Sequence, residues 1–130
     1  MKQLIWMLPS VIALASCAPT ATVETPTTDR RVYAATCAQV LDAVAIAAPS
    51  IRPASLGGAG GWQAFQASGR TPSTLVTQAR STTLGTGTAT TITWMCSEAD
   101  GTATVTASST GQRPDYAQAS LTAFWQAIKP

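Results

Sequence analysis

Hydrophobic side chains recur at helical spacing in two segments of the chain. The first segment predicts a helix over residues 31–47, with Thr28 or Asp29 as its cap and Pro49 at its end. The second predicts a helix that begins at Pro114, a residue suited to the first helical turn. The two apolar stripes are Tyr33, Cys37, Val40, Leu41, Val44 and Ala48, and Ala117, Leu121, Phe124, Trp125 and Ile128.

Between these helices the pattern changes to strand-like runs, which we place at residues 62–68, 73–81, 90–98 and 102–107. The third run alternates clearly and places Ile92, Trp94 and Cys96 on one face. The dipeptide Asp100-Gly101 predicts a tight hairpin between the third and fourth runs. Gly69-Arg70-Thr71-Pro72 predicts the turn between the first two.

The element order α-β-β-β-β-α predicts an α+β domain of two layers. A four-stranded antiparallel sheet would be covered by an N-terminal and a C-terminal helix, and the domain would occupy residues 30–130. Residues 51–61 contain a run of glycines and are expected to form a loop.

The amino terminus has the pattern of an export signal. Lys2 precedes an apolar run of about 13 residues, which is shorter than the 18 to 20 residues that a transmembrane helix needs. Leu14-Ala15-Ser16-Cys17 resembles the lipobox of bacterial lipoproteins. The resemblance implies that residues 1–16 are a signal peptide, that Cys17 is lipidated, and that residues 17–29 form the lipidated N-terminus and a flexible tether.

A lipidated Cys17 would anchor the protein to a membrane of the cell envelope. In a Gram-negative host, Ala18 after the cysteine favours the outer membrane. The alternative is ordinary cleavage after Ala15, which would leave Cys17 as a thiol in a soluble secreted protein.

The cysteine count agrees with export. The chain has 3 cysteines, and lipid on Cys17 would leave Cys37 and Cys96 as one pair. We predict that these two form a disulfide in an oxidising compartment, with two buried thiols as the alternative. Two cysteines without any histidine are too few ligands for a typical zinc site, so no metal or other cofactor is expected.

Composition excludes several functions. Charged residues make up 11% of the 130 residues, with 8 Lys and Arg against 6 Asp and Glu, so a basic nucleic-acid groove is not expected. The usual base of a nucleophilic triad is missing because the chain has no histidine. The glycine run at 57–61 does not match a phosphate-binding motif. Glu98 and Asp100 remain as one candidate pair of catalytic carboxylates.

Two features could bind a partner. Trp62, together with Gly60 and Gly61, could contact a sugar or peptide, although a tryptophan in so small a domain is more often part of the core. Threonines at alternate positions would form ranks on the outer sheet face, either as a surface for extended polysaccharide or ice or as an ordinary solvated face. These are Thr86, Thr88, Thr91, Thr93, Thr102, Thr104 and Thr106.

The sequence therefore favours an envelope-anchored lipoprotein with a non-enzymatic domain that binds or scaffolds a protein or glycan. Its expected partners are a membrane, through the lipid, and another envelope component, with no nucleic acid. The alternatives are a small enzyme that acts on the cell wall through carboxylates such as Glu98 and Asp100, and a secreted enzyme inhibitor.

Overall fold

The chain forms an α+β domain in which a five-stranded antiparallel sheet is covered on one face by two α-helices. The computed structural model describes residues 25–54, 61–82 and 89–130. The elements in chain order are β1 (Thr27–Tyr33), α1 (Cys37–Ala47), β2 (Gln66–Thr71), β3 (Thr74–Arg80), β4 (Ala89–Ala99), β5 (Thr102–Thr110) and α2 (Pro114–Ala127), with a 3-10 turn at Ala48–Ser50 after α1. The predicted class is confirmed, but the sheet has one strand more than predicted.

The additional strand is β1, which pairs antiparallel with β5 at one edge of the sheet. The strand order is β1-β5-β4-β3-β2, so the first strand of the domain lies beside the last. Thr27 lies opposite Ser109, and Tyr33 lies opposite Ala103. The later strands follow one another as antiparallel neighbours, which short hairpins permit.

The predicted start of the first helix is wrong. Residues 31–33 belong to β1, as do Thr28 and Asp29, the predicted helix caps at the end of the predicted tether. The cap is Thr36, whose hydroxyl accepts a hydrogen bond from the Gln39 backbone N–H at 3.1 Å, while the Gln39 side chain accepts from the Thr36 backbone N–H at 2.9 Å. This reciprocal pair satisfies two N–H groups at the helix start, so α1 begins at Cys37.

The first predicted strand is displaced along the chain. Trp62 forms only an isolated bridge with Ser81, and β2 begins at Gln66. Between them Phe65 turns into the core, and its N–H donates to the Ile51 carbonyl at 2.9 Å. Gly69, Arg70 and Thr71 continue the strand, so the turn falls at residues 72–73 instead of 69–72.

The other three predicted strands are confirmed. The β4–β5 hairpin turns at Asp100 and Gly101, whose φ angles of 52° and 76° give the left-handed backbone that this type of turn requires. In β4 and β5 the buried positions alternate as predicted. The predicted ones are Ile92, Trp94, Cys96, Ala103, Val105 and Ala107, and Thr90 and Ser109 are buried on the same face.

The core lies between this face and the helices. Trp94 is fully buried at its centre, with ring centroids 4.9 Å from Phe124 and 5.4 Å from Trp125. A disulfide joins Cys37, the first residue of α1, to Cys96 of β4, with Cα atoms 5.8 Å apart. This confirms the predicted pairing, because β4 corresponds to the third predicted strand. No helix in the described ranges is long and apolar enough to span a membrane.

The edge strand β1 is held to α2 through the Asp29 carboxylate. It accepts hydrogen bonds from Trp125 Nε1 at 3.1 Å and Gln118 Nε2 at 3.3 Å, and it pairs with Arg31 at 3.2 Å. The largest effect on the pKa of Asp29 comes from a hydrogen bond that the Arg30 backbone N–H donates to its carboxylate, which lowers the pKa. Partial burial opposes that effect, and the Gln118, Trp125 and Arg31 contacts lower the pKa further. These contacts fasten the first strand where the predicted tether reaches the domain.

Asp29→Asn is expected to lower the free energy of unfolding by about 1 kcal/mol at pH 7, since it weakens several hydrogen bonds at a partly exposed site. The folded-state pKa lies below the ordinary 3.8, so the contribution is present above about pH 3.8 and is lost as pH falls through the folded value. Urea unfolding of the wild type and the variant at pH 7 and pH 2.5 measures the loss of stability and its dependence on pH. Asp42→Asn is the matched control, because its ion pair with Arg70 is more exposed. An equal loss in the two variants at pH 7 would contradict the assignment.

Candidate functional site

One face of the sheet is not covered by either helix in the part of the chain that the structure describes. We call it the open face. It is formed by the residues that alternate with the buried positions of β3, β4 and β5, together with the residues of β1 and β2 paired beside them. Its members are Thr28, Arg30, Val32, Gln66, Gly69, Thr71, Thr74, Val76, Gln78, Arg80, Ala89, Thr91, Thr93, Met95, Ser97, Ala99, Thr102, Thr104, Thr106, Ser108 and Thr110.

Hydroxyl side chains form ranks across the middle of the open face. Thr93 lies opposite Ser108, and Ser97 lies opposite Thr104. Neighbouring strands are about 4.8 Å apart, and alternate residues of one strand are about 7 Å apart, so the ranks form a regular array. The predicted outward placement of the described threonines is confirmed. Thr86 and Thr88 lie outside the described residues.

The open face also carries exposed apolar groups. The exposed fraction is 62% for Val32 and 55% for Met95. With the threonine methyl groups, they give a surface on which hydrogen-bonding and apolar groups alternate over short distances. Such a surface can contact both the apolar and the hydrogen-bonding groups of a sugar ring or an extended peptide.

The charge on the open face has one sign. Arg30 and Arg80 lie on it, and neither forms an ion pair with a residue in the described ranges. The described carboxylates all lie elsewhere, on the helix side of the sheet, on a helix or in a hairpin. They are Asp29, Asp42, Glu98, Asp100 and Asp115.

A cavity of about 180 Å³ lies at the β2–β3 side of the open face. It is lined by Gln63, Ala64, Gln66, Ala67, Ser68, Gln78 and Arg80. This volume is below the roughly 300 to 1,000 Å³ of a typical site for a small molecule, so the cavity can hold one group of a larger ligand.

The irregular entry into β2 forms this cavity. The Gln63 N–H donates to the Arg80 carbonyl at 3.0 Å, but regular pairing starts only where Gln66 lies opposite Gln78. The register then shifts between Ala67 and Gly69. Such shifts bend a strand locally and redirect its side chains. No sequence motif marks this cavity, since isolated glutamines are common at exposed positions.

No protein-family profile matches the chain, and the comparison with curated proteins gives no match. Among solved structures, the chain is similar to protein CV1439 from Chromobacterium violaceum. The two are 16% identical with a TM-score of 0.49, and the alignment covers 80% of this chain and 98% of the other. A likeness at this level carries no information on function.

The predicted partner-binding residues Gly61 and Trp62 do not line the cavity, and they directly precede Gln63, which does. Trp62 is half-buried and packs against the core. The Gly61 carbonyl accepts hydrogen bonds from the Thr82 N–H at 2.8 Å and the Ser81 hydroxyl at 3.3 Å. These contacts position the chain just before Gln63. Gly60 and the predicted lipidation site Cys17 lie outside the described residues.

The two candidate carboxylates have different surroundings. Glu98 accepts a hydrogen bond from the Cys37 N–H at 2.7 Å, so its charge lies at the amino terminus of α1, where helix N–H groups attract an anion. Asp100 has a left-handed backbone in the β4–β5 hairpin. No group of three or more Asp, Glu, Cys or His residues suited to a metal ion occurs within residues 25–54, 61–82 and 89–130.

Proposed function

We propose that the protein is an envelope-anchored lipoprotein whose domain binds or scaffolds another envelope component, a protein or a glycan, without enzymatic turnover. Two features support the proposal. Leu14–Cys17 resembles a lipobox, and the domain leaves one broad sheet face without a covering layer in its described part.

The anchor and the domain would be close together. About ten residues separate Cys17 from Thr27 at the start of β1, and a chain of that length spans at most about 35 Å. Because β1 is an edge strand, the tether would join the domain at the side of the sheet. The domain would then be held near the membrane surface without its attachment point occupying the middle of the open face.

The open face is the observation that carries the binding part of the proposal. Antiparallel sheets commonly expose one face to water, so exposure alone does not identify a partner surface. Here the face lacks carboxylates in the described ranges, carries two unpaired arginines and exposes Val32 and Met95 by more than half. A contacting molecule could bury the apolar groups while satisfying the hydroxyls.

The placement of Glu98 favours a non-enzymatic domain over the carboxylate enzyme. Its carboxylate contacts a helix terminus beside the disulfide, which is a structural role. The chain also has no histidine to act as a base near neutral pH. Turnover of a cell-wall substrate that disappears in Glu98→Gln would contradict this part of the proposal.

Site-specific photocrosslinking in the native envelope tests the binding part. We would place a photoreactive residue at Thr93, in the middle of the open face, and as a matched control at Ala38, an exposed position on α1. We expect a discrete higher-mass adduct from Thr93 and none from Ala38. Mass spectrometry would then identify the captured component.

The same experiment can contradict the proposal. The absence of adducts from Thr93 and from a second open-face position, Thr106, would show that this face contacts no envelope component. Equal adducts from Ala38 and Thr93 would show that the contacts do not depend on the face.

A further inference from the structure

We infer that the open face binds an acidic glycan, and that the cavity between Gln63, Gln66, Gln78 and Arg80 takes the carboxylate-bearing sugar of that glycan. The inference rests on the proposed binding function and deepens it by naming the class of partner. It follows from the chemistry of the cavity, from the charge on the face and from the second arginine, Arg30, on the edge strand β1.

The cavity combines three carboxamides with one guanidinium. Each carboxamide can donate and accept hydrogen bonds, as a sugar hydroxyl can, whereas a guanidinium only donates. Gln78 Nε2 donates to Thr91 Oγ1 at 3.2 Å, which ties this side chain to the hydroxyl ranks. The side chains of Gln63 and Gln66 are exposed at the rim. The set matches a ligand with several hydroxyls and one anionic group.

A carboxylate fits Arg80 better than a phosphate does. A guanidinium binds a carboxylate through two parallel hydrogen bonds, and the charges are equal and opposite. A phosphate monoester carries a charge between −1.5 and −2 and usually binds where several cations meet. Among the described residues that line the cavity, Arg80 is the one with a cationic side chain.

The position of Arg30 indicates a ligand longer than one sugar. Arg30 pairs with Thr106 of β5, and Thr106 pairs with Met95 of β4. Arg80 pairs with Ala89, which lies six residues before Met95 in β4. The two arginines are therefore three strand spacings apart across the sheet and six residues apart along it. This gives a separation of about 25 Å on a flat sheet.

The diagonal between the two arginines crosses hydroxyl and amide groups. It passes over Ser108 and Thr91, with Thr93 and Gln78 on either side of it, and no carboxylate of the described residues lies along it. An acidic glycan of several sugars could therefore contact both cations without repulsion. A neutral glycan could accept hydrogen bonds from the arginines but would form no ion pair with them.

Binding to two matched oligosaccharides tests the inference. The protein is purified with its native amino terminus from membranes in detergent. The probes are a fluorescent hexamer of galacturonic acid and the same hexamer with its carboxyl groups reduced to alcohols. We expect the acidic hexamer to bind at least tenfold more tightly than the reduced one.

Variants locate the site. Arg80→Gln should weaken binding of the acidic hexamer about tenfold, as expected for one charge-assisted contact, and should leave binding of the reduced hexamer unchanged. The double variant Gln63→Ala/Gln66→Ala should weaken binding of both hexamers. Arg52→Gln, which removes an exposed arginine outside the sheet strands, should change the binding of neither hexamer. Thermal unfolding of each variant checks that the domain is folded.

Equal binding of the two hexamers, or binding of the acidic hexamer that Arg80→Gln does not weaken, would overturn the acidic-glycan inference and leave the proposed function standing. Binding of neither hexamer, with a protein adduct from Thr93 in the envelope, would do the same. Binding of neither hexamer and the absence of adducts from Thr93 and Thr106 would overturn both.

Discussion

Replacing Cys37 and Cys96 together by alanine is expected to lower the free energy of unfolding by about 4 kcal/mol. The disulfide joins residues with a sequence separation of 59. Closing a loop of that size lowers the conformational entropy of the unfolded chain, and this destabilises the unfolded state by about 4 kcal/mol. Alanine suits both positions because the cysteines are 6% and 8% exposed and a serine hydroxyl would be buried. The measurement is urea unfolding without reductant.

The control for this variant is the wild-type protein in reductant, which should unfold at nearly the same urea concentration as the double variant. Reductant should not change the stability of the double variant. The disulfide assignment would be contradicted by a thiol titration that finds two reactive sulfhydryls at Cys37 and Cys96 in the exported protein.

Trp94→Ala is expected to cost about 3 to 5 kcal/mol, the range for truncating a buried aromatic residue. Trp94 is fully buried between β4 and α2, where it makes edge-to-face contacts with Phe124 and Trp125. Its Nε1 also donates to the Thr77 hydroxyl at 3.0 Å. Alanine would leave a cavity in a core that contains many small side chains.

Two further variants separate packing from hydrogen bonding in the Trp94 prediction. Trp94→Phe keeps most of the ring and loses the bond to Thr77, so it should cost about 1 to 2 kcal/mol. Trp62→Ala removes a half-buried ring at the core margin and should cost less than Trp94→Ala. If Trp94→Ala unfolded at the same denaturant concentration as Trp62→Ala, Trp94 would not be the centre of the core.

The regular part of the fold was predictable because its signals are local. The alternation around Trp94 and Val105, the Asp100-Gly101 hairpin and the stripe after Pro114 each lie within about fifteen residues. The disulfide was predictable for a related reason. Two independent periodicities directed Cys37 and Cys96 to one interior, and the structure joins them there.

The start of the domain was mispredicted because two patterns overlap there. In the sequence, the aromatic side chain of Tyr33 fits the apolar stripe of a helix. In the structure, Tyr33 is the last residue of β1 and packs against the core. The pairing of β1 with β5 joins residues that are far apart in sequence, which no local pattern shows. A usable signal was present, however. Thr36 and Gln39 have the spacing of a capping box, which places the helix start after Thr36.

The candidate site shows the same division. The outward ranks of threonine followed from strand alternation. The cavity did not, because it depends on where Phe65 leaves the strand pattern and where the register shifts before Gly69. The sequence spacing of Glu98 and Asp100 suggests a pair of catalytic carboxylates, whereas the contact of Glu98 with the Cys37 N–H depends on α1 packing across β4.

The central claim is that a lipid on Cys17 displays this domain on a membrane, and the mass of the mature protein extracted from envelopes tests it most directly. We expect a chain that begins at Cys17 and carries the added mass of acyl chains, whereas Cys17→Ala should be uncleaved or soluble, with its fold unchanged. A soluble wild-type chain with an unmodified amino terminus at Ser16 or Pro19 would contradict the account.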